Sequence, residues 1–312
     1  MIIRGPAVIK RGATVLYVNG DIVATPVRNT IEQTVDSIGF RDDREDNFRW
    51  ELAFTPAGIA SAVYFNELYP TAYRTPIPGT DIFGAVATDV IIWTMGGQQI
   101  TFKRSALTKM PDLNLAAGRQ LFGEAQYTAL GALDEGWDVA GHFAAAASVA
   151  FNDTSFAPAD LKTLVYTAAW GSTAPWNSIE TEDGFTLTFD LALSEVPSDK
   201  YGIASMTLTS VKVSAKCVPH HITEAQVLAA IGADGTGAGR GKSVYRTGRV
   251  NSLVLTSGST NPNFSLFNAT INTIPLQAGV ESNRAGEMEF MATSNRFTAG
   301  VLQPVFAVGI TA

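Results

Sequence analysis

Gly123-Glu124-Ala125-Gln126-Tyr127-Thr128-Ala129 is echoed by Gly286-Glu287-Met288-Glu289-Phe290-Met291-Ala292, 163 residues further on (286 − 123). At the same spacing Pro56 meets Pro219, Asp36 meets Asp199 and Gly39 meets Gly202. An internal repeat constrains a fold more than any local motif, because each copy must be a unit of the same kind. The kind of unit is readable as well. Phe48, Trp50, Leu52 and Phe54 alternate with polar residues, and Val211, Val213, Ala215 and Cys217 do so in the second copy. That period of two belongs to a strand with one buried face. Each strand runs to a proline and is followed by a helical stretch, Ile59 to Leu68 in one copy and Thr223 to Ile231 in the other. Thr223 and Gln226 have the spacing of a capping box. Apolar strands come next, Val90 to Trp93 and Leu253 to Leu255. Pro111 and Pro275 lie 164 apart (275 − 111), so the second copy has gained one residue by that point.

The remaining strand expectations are Val15 to Val18, Ile22 to Asp36, Ile100 to Lys103, Leu121 to Ala129, and the run Phe185, Leu187, Phe189, Leu191, Leu193. Many strands with one helix per copy predict a mainly β fold, a sandwich or split barrel with a helix covering one edge of each unit. The expected division is residues 1–135, a linker arm over 136–163 with its alanine run, and a second domain over 164–312, a duplicate of the first.

Composition narrows the function classes. Charged residues make up 16% of the chain, against about 25% in an average soluble protein. A low charge content fits a protein that covers much of its surface with neighbours. The net charge of −7 is the wrong sign for a reader of duplex DNA, which needs a basic footprint. One cysteine, Cys217, allows neither an intrachain disulfide nor a cysteine-rich zinc site. The N-terminus breaks at Pro6, and Phe143 to Phe151 is far shorter than the roughly 20 residues of a membrane span. The expectation is a chain made in the cytoplasm, without membrane insertion.

Motifs for chemistry fail one by one. Thr236 to Ser243 nearly spells a P-loop, but Thr236 stands where the first glycine is required. The stretch also follows a helix and leads into a strand, the reverse of a P-loop, and so reads as a surface loop. Arg240, Lys242, Arg246 and Arg249 there suit an acidic partner surface. His220 and His221 are adjacent, so in a strand they point to opposite faces and do not share a metal. The third histidine is His142, and no nucleophile elbow is present. The expectation is no catalytic, metal or cofactor site. The densest charge cluster is Arg41, Asp42, Asp43, Arg44, Glu45 and Asp46, whose mixed signs lack the layout of a calcium loop. It reads as a loop that reaches a neighbouring subunit and forms ion pairs there.

The stretch from Gly39 through Arg41-Asp42-Asp43-Arg44-Glu45-Asp46 to Phe54-Thr55-Pro56-Ala57-Gly58 resembles the major tail proteins of siphophages, the long-tailed bacteriophages. Leu68-Tyr69-Pro70, the segment Thr101 to Pro111 and Leu121-Phe122-Gly123-Glu124 extend the resemblance, which covers residues 15–130 best. It implies a tail-tube subunit whose domains close rings by sheet-to-sheet pairing, with rings stacked into a hollow virion tail. A fused two-domain chain implies three chains per ring with pseudo-sixfold symmetry. Its partners would be further copies of itself, the tail tip or baseplate, the tape-measure and the tail-terminator proteins, and DNA that passes without specific binding. Under this resemblance Arg41 to Asp46, with Arg240 and Lys242, are the contacts between subunits or rings, and Glu124, Glu287 and Glu289 are candidates for an acidic lumen.

Two other classes compete. One is another virion β-protein: a decoration, tail-terminator or baseplate component. The other is a carbohydrate-binding or adhesion module, for which Trp50, Trp93, Trp137, Trp170 and Trp176 would supply stacking surfaces, although Trp50 and Trp93 lie in strands and read as core.

Overall fold

A computed structural model describes residues 7–35, 40–57, 62–85, 87–94, 98–116, 121–131, 143–146, 165–172, 174, 176–198, 202–220, 222–223, 226, 250–257, 262–274, 286–293, 297–298 and 301–310. The chain is mainly β, with two curled antiparallel sheets and three short helices among these residues. Up to the middle of the chain the elements are β1 (Ala7–Arg11), β2 (Thr14–Tyr17), β3 (Val23–Val35), β4 (Phe40–Phe54), α1 (Ala62–Leu68), α2 (Thr71–Arg74), β5 (Thr80–Asp81), α3 (Ile82–Ala85), β6 (Thr88–Thr94), β7 (Gln99–Lys109), β8 (Leu113–Leu115), β9 (Ala125–Ala129) and β10 (Phe143–Ala146). The rest are β11 (Thr167–Trp170), β12 (Thr181–Ser198), β13 (Gly202–Pro219), β14 (Asn251–Thr256), β15 (Pro262–Thr273), β16 (Met288–Thr293), the small hairpin β17 (Phe297–Thr298) and β18 (Val301–Leu302), and β19 (Phe306–Ile310).

The first sheet runs β2-β1-β6-β7-β9-β4-β3, with β10 also on β7. The second runs β11-β14-β15-β16-β13-β12, with β19 also on β15. From β1 to β3 the order of the first sheet matches that of the second from β11 to β12; β2 extends the first sheet at one end, and β8, from the first half, extends the second at the other. The register matches too. Leu52 faces Tyr127 and Phe54 faces Ala125 in one sheet; Ala215 faces Phe290 and Cys217 faces Met288 in the other, each 163 residues on.

The irregularities repeat too. A bulge between Asn29 and Thr30 recurs between Ala192 and Leu193, one between Thr88 and Val90 recurs between Asn251 and Leu253, and one between Leu107 and Lys109 recurs between Ile271 and Thr273. Arg104 and Asn268, 164 apart (268 − 104), are the two non-glycine residues with positive φ among the described residues, both at φ 50. Bulges re-aim a strand and persist for that reason.

Two strands of the first half cross to the second sheet. β8 pairs with β12 and β5 pairs with β13. Buried apolar residues of both sheets therefore form one continuous core. The α1 helix packs on it because Tyr64, Phe65 and Leu68 fall on one face, and the chain breaks at Pro70. Its tyrosines solve a polar problem. The Tyr69 hydroxyl donates to the Pro111 carbonyl at 2.7 Å, and the Tyr64 hydroxyl lies 2.9 Å from the carbonyls of Tyr17 and Ala57. Tyr73, from α2, donates to the Leu107 carbonyl beside the bulge of β7. Burial pushes all three phenols well above their ordinary pKa, so each stays protonated and remains a donor.

Two sequence expectations change. The helix expected over Ile59 to Leu68 is present over Ala62–Leu68, residues 59–61 lying outside the described residues, but it is not the one helix of its half: two further four-residue helices follow, started by Pro70 and by Asp81. Arg41 to Asp46, expected as a loop, lie inside β4 as rungs against β3, from Thr34↔Arg41 to Thr30↔Glu45. Beyond the sheet the β3–β4 pair continues as a two-stranded ribbon. Arg41 to Asp46 pair only with β3 among the described residues and show no apolar alternation, so their sequence carries no strand signal. The capping box is present: the Thr223 N–H donates to Gln226 Oε1 at 2.8 Å and the Gln226 N–H to Thr223 Oγ1 at 3.3 Å.

Gly184 marks the tightest seam. Its φ is +78°, and a Cβ there would lie 2.3 Å from the Leu115 carbonyl oxygen. Gly184→Ala is expected to cost about 2 kcal/mol or more by prising β8 from β12, read as a lowered midpoint in thermal or urea unfolding. Tyr73→Phe, which removes the hydrogen bond to the Leu107 carbonyl, should cost about 1–2 kcal/mol in the same assay.

Candidate functional site

Among the described residues, side chains converge where the first half grips the second. The grip is built on the long hairpin β12–β13. On one edge, β8 supplies the rungs Phe185↔Leu115 and Leu187↔Leu113, while Asp112 Oδ1 accepts the Phe189 N–H at 3.3 Å. On the other edge β5 supplies Thr207↔Asp81 and Leu208↔Thr80, and the Gly79 N–H donates to the Leu208 carbonyl at 2.8 Å.

Side chains finish the grip. The Arg104 backbone sits in the left-handed region at the bulge of β7, and its guanidinium reaches the Ala204 carbonyl at 2.7 Å while lying 5.5 Å over the Phe83 ring. The Arg49 guanidinium, on β4, pairs with Glu195 on β12 at 2.9 Å. Asp81 accepts from the Ser205 hydroxyl and caps α3 through the Phe83 and Gly84 N–H groups at 2.8 and 3.1 Å. Under the hairpin an aromatic cluster crosses the junction: Tyr69 to Phe189 at 4.8 Å, Phe189 to Phe306 at 5.0 Å and Phe65 to Phe264 at 5.9 Å between centroids. Contacts of this geometry add to the area they bury.

The junction is one-sided. The first half presents β5, β8, Arg49 and Arg104; the second presents its hairpin and the Phe189–Phe264–Phe306 patch. Although the two sheets share one topology, they meet through different surfaces. This is a heterologous, head-to-tail contact.

The sequence candidates fall as follows. Arg41 to Asp46 lie on the ribbon β3–β4, the counterpart of the gripped hairpin; their side chains are outside the described residues. Arg240, Lys242, Arg246, Arg249, His142, His221 and Trp137 are also outside them. Glu124 pairs with Lys109 at 3.0 Å, Glu287 with Lys216 at 3.1 Å, and Glu289 accepts from the Asn272 amide. The two pairs are exposed, and each lysine offsets the field of its carboxylate. His220 sits 3.7 Å from Glu182. Trp170 and Trp176 are buried, which removes them as stacking surfaces; Trp50 and Trp93 are half-buried.

Beside the β8–β12 seam lies a cleft of about 510 Å³ lined by Leu115, Tyr166, Glu180, Glu182, Asp183 and Gly184. Among the described residues no group of three or more His, Cys, Asp and Glu side chains is placed to hold a metal ion. Cys217 is buried within the core, which pushes its thiol up to about 12 and keeps it protonated.

Sequence reasoning did not single out Arg49, Asp81, Arg104, Gly184 or Glu195. Gly184 carried a usable signal, since a lone glycine in a strand pattern marks a close backbone approach. The others carried none, because each acts on a residue far away in sequence.

No family model matches the sequence, and no curated protein is significantly similar to it.

Burial pushes the Asp81 carboxyl up, but the Ser205 hydroxyl, the two capping N–H groups and Arg104 outweigh it and hold the group below the usual range. A depressed carboxyl stabilises above its unfolded pKa of about 3.9 and loses that contribution as pH falls through the lower folded value. The stability gap between the native chain and Asp81→Asn should therefore be full at pH 6 and shrink below about pH 4. Paired thermal melts from pH 6 to pH 3 check this.

Proposed function

We propose that this chain is a structural subunit that polymerises into stacked rings, forming the hollow tail tube of a long-tailed bacteriophage. The observation that carries the reading is the junction: two equivalent sheets in one chain, joined head to tail through unlike surfaces. Such a contact leaves one surface of each kind unused at the two ends of the chain. Repeated between chains, it closes a ring or extends a filament. With two equivalent units per chain, three chains give a ring of six.

The chemistry of the surface supports a conduit. A chain of net charge −7 repels phosphate, so DNA passes through without sticking. The Glu124, Glu287 and Glu289 carboxylates are the proposed lumen residues, with the nearby lysines tempering the field. The reading includes no catalysis and no cofactor. Its partners are copies of itself and the tail-tip, tape-measure and terminator proteins, with assembly in the host cytoplasm.

Negative-stain electron microscopy of the purified chain over a concentration series tests this. Hollow tubes with three chains per striation by mass are expected. Particles that stay monomeric at high concentration, even with tail-tip seeds added, would overturn it.

A further inference from the structure

We infer that the outer edge of the β3–β4 ribbon is the docking site for the second half of another copy, with Lys212 of one copy pairing to Glu32 of the next. This rests on the self-assembly reading above and names the contact it uses.

The internal repeat supplies the template. Within the chain, Arg49 of the first half pairs with Glu195 of the second. Shifted by the repeat, Arg49 becomes Lys212 (49 + 163) and Glu195 becomes Glu32 (195 − 163). Both keep their sign, and both are exposed. Arg104, which reaches the Ala204 carbonyl, becomes Asn268 on an equivalent bulge at the same φ of 50°, and Ala204 becomes Arg41. An amide retains the donor that such a contact requires.

Among the described residues the receiving edge is open where its counterpart is covered. Phe185 and Leu187 are buried beneath the rungs to β8. Their counterparts are Ile22 and Ala24, both half-buried, and the strand that holds Ala24 pairs only with β4 among the described residues. Between them Val23 is 53% exposed, one of the few large apolar side chains left in solvent. Phe189, whose N–H is satisfied by Asp112, has Pro26 as its counterpart, a residue with no N–H to satisfy. Proline and charge on an edge strand discourage indiscriminate pairing and leave a specific partner to close it.

The test is a charge exchange, read by sedimentation velocity over a concentration series and by electron microscopy, with thermal melts to verify folding. Lys212→Glu and Glu32→Lys, each alone, should raise the concentration needed for assembly by about tenfold or more, since like charges at a contact reject the partner. The double variant Lys212→Glu/Glu32→Lys should bring that concentration back to within about threefold of the native chain. Native chains that form tubes while both single variants assemble equally well, or while the double variant is no better than the singles, overturn this contact and leave the tube reading standing. Native chains that remain monomeric overturn both.

Discussion

The seam between β8 and β12 is the interaction on which the rest of the structure depends. A sheet edge exposes a row of unpaired N–H and C=O groups, and an uncovered apolar edge invites any strand that passes. Here the edge of the second sheet is closed by Leu113 to Leu115 from the other half. The closure places Phe185, Leu187 and Phe189 out of water and brings Tyr69 and Phe65 against Phe306 and Phe264. It is possible only because Gly184 has no side chain where the Leu115 carbonyl passes. One missing Cβ thus lets two sheets share a core.

What the two halves retain in common is backbone, not side chains. Three bulges and one left-handed residue recur at a nearly constant spacing, while Phe54 becomes Cys217 and Tyr127 becomes Phe290. Side chains in a core can be exchanged if volume and pattern are kept. A bulge cannot slip by one residue without turning every following side chain to the wrong face. The left-handed position shows the division of labour. Asparagine tolerates that conformation by itself, whereas arginine is uncommon there. Arg104 offsets the strain with a hydrogen bond that crosses the junction and a contact over the Phe83 ring of its own half.

This explains what was legible in the sequence. The strands around Phe48 to Phe54 and Val211 to Cys217 were plain, because one face of each is buried and the period of two follows. The pairing Gly123 to Ala129 with Gly286 to Ala292 was plain because β9 and β16 lie inside their sheets, where few substitutions pack. The ribbon of Arg41 to Asp46 was not, since six consecutive charged residues show no apolar alternation and resemble a charged loop. The junction was invisible for a different reason. Arg49 and Glu195 are 146 residues apart, and nothing local to either marks the other. β8 is only three residues long and gains strand character from the edge it closes rather than from its own sequence.

The divergence between the two hairpins has a physical sense if chains join as their halves do. A contact inside one chain is permanent, so it can be built from large aromatic side chains, as Phe189 is. The equivalent surface on the free chain must remain in water until a partner arrives. Large aromatic residues there would give an exposed apolar edge, the usual cause of unspecific pairing. Pro26 in place of Phe189 keeps that edge soluble, while Glu32 on it and Lys212 on the opposite docking surface, in place of Glu195 and Arg49, preserve the charge pattern that selects the partner. Lysine is also the more hydrated cation and holds its fork-less ammonium less rigidly than arginine. The internal contact is thereby drier and the external one more dependent on charge, so salt weakens the second before the first.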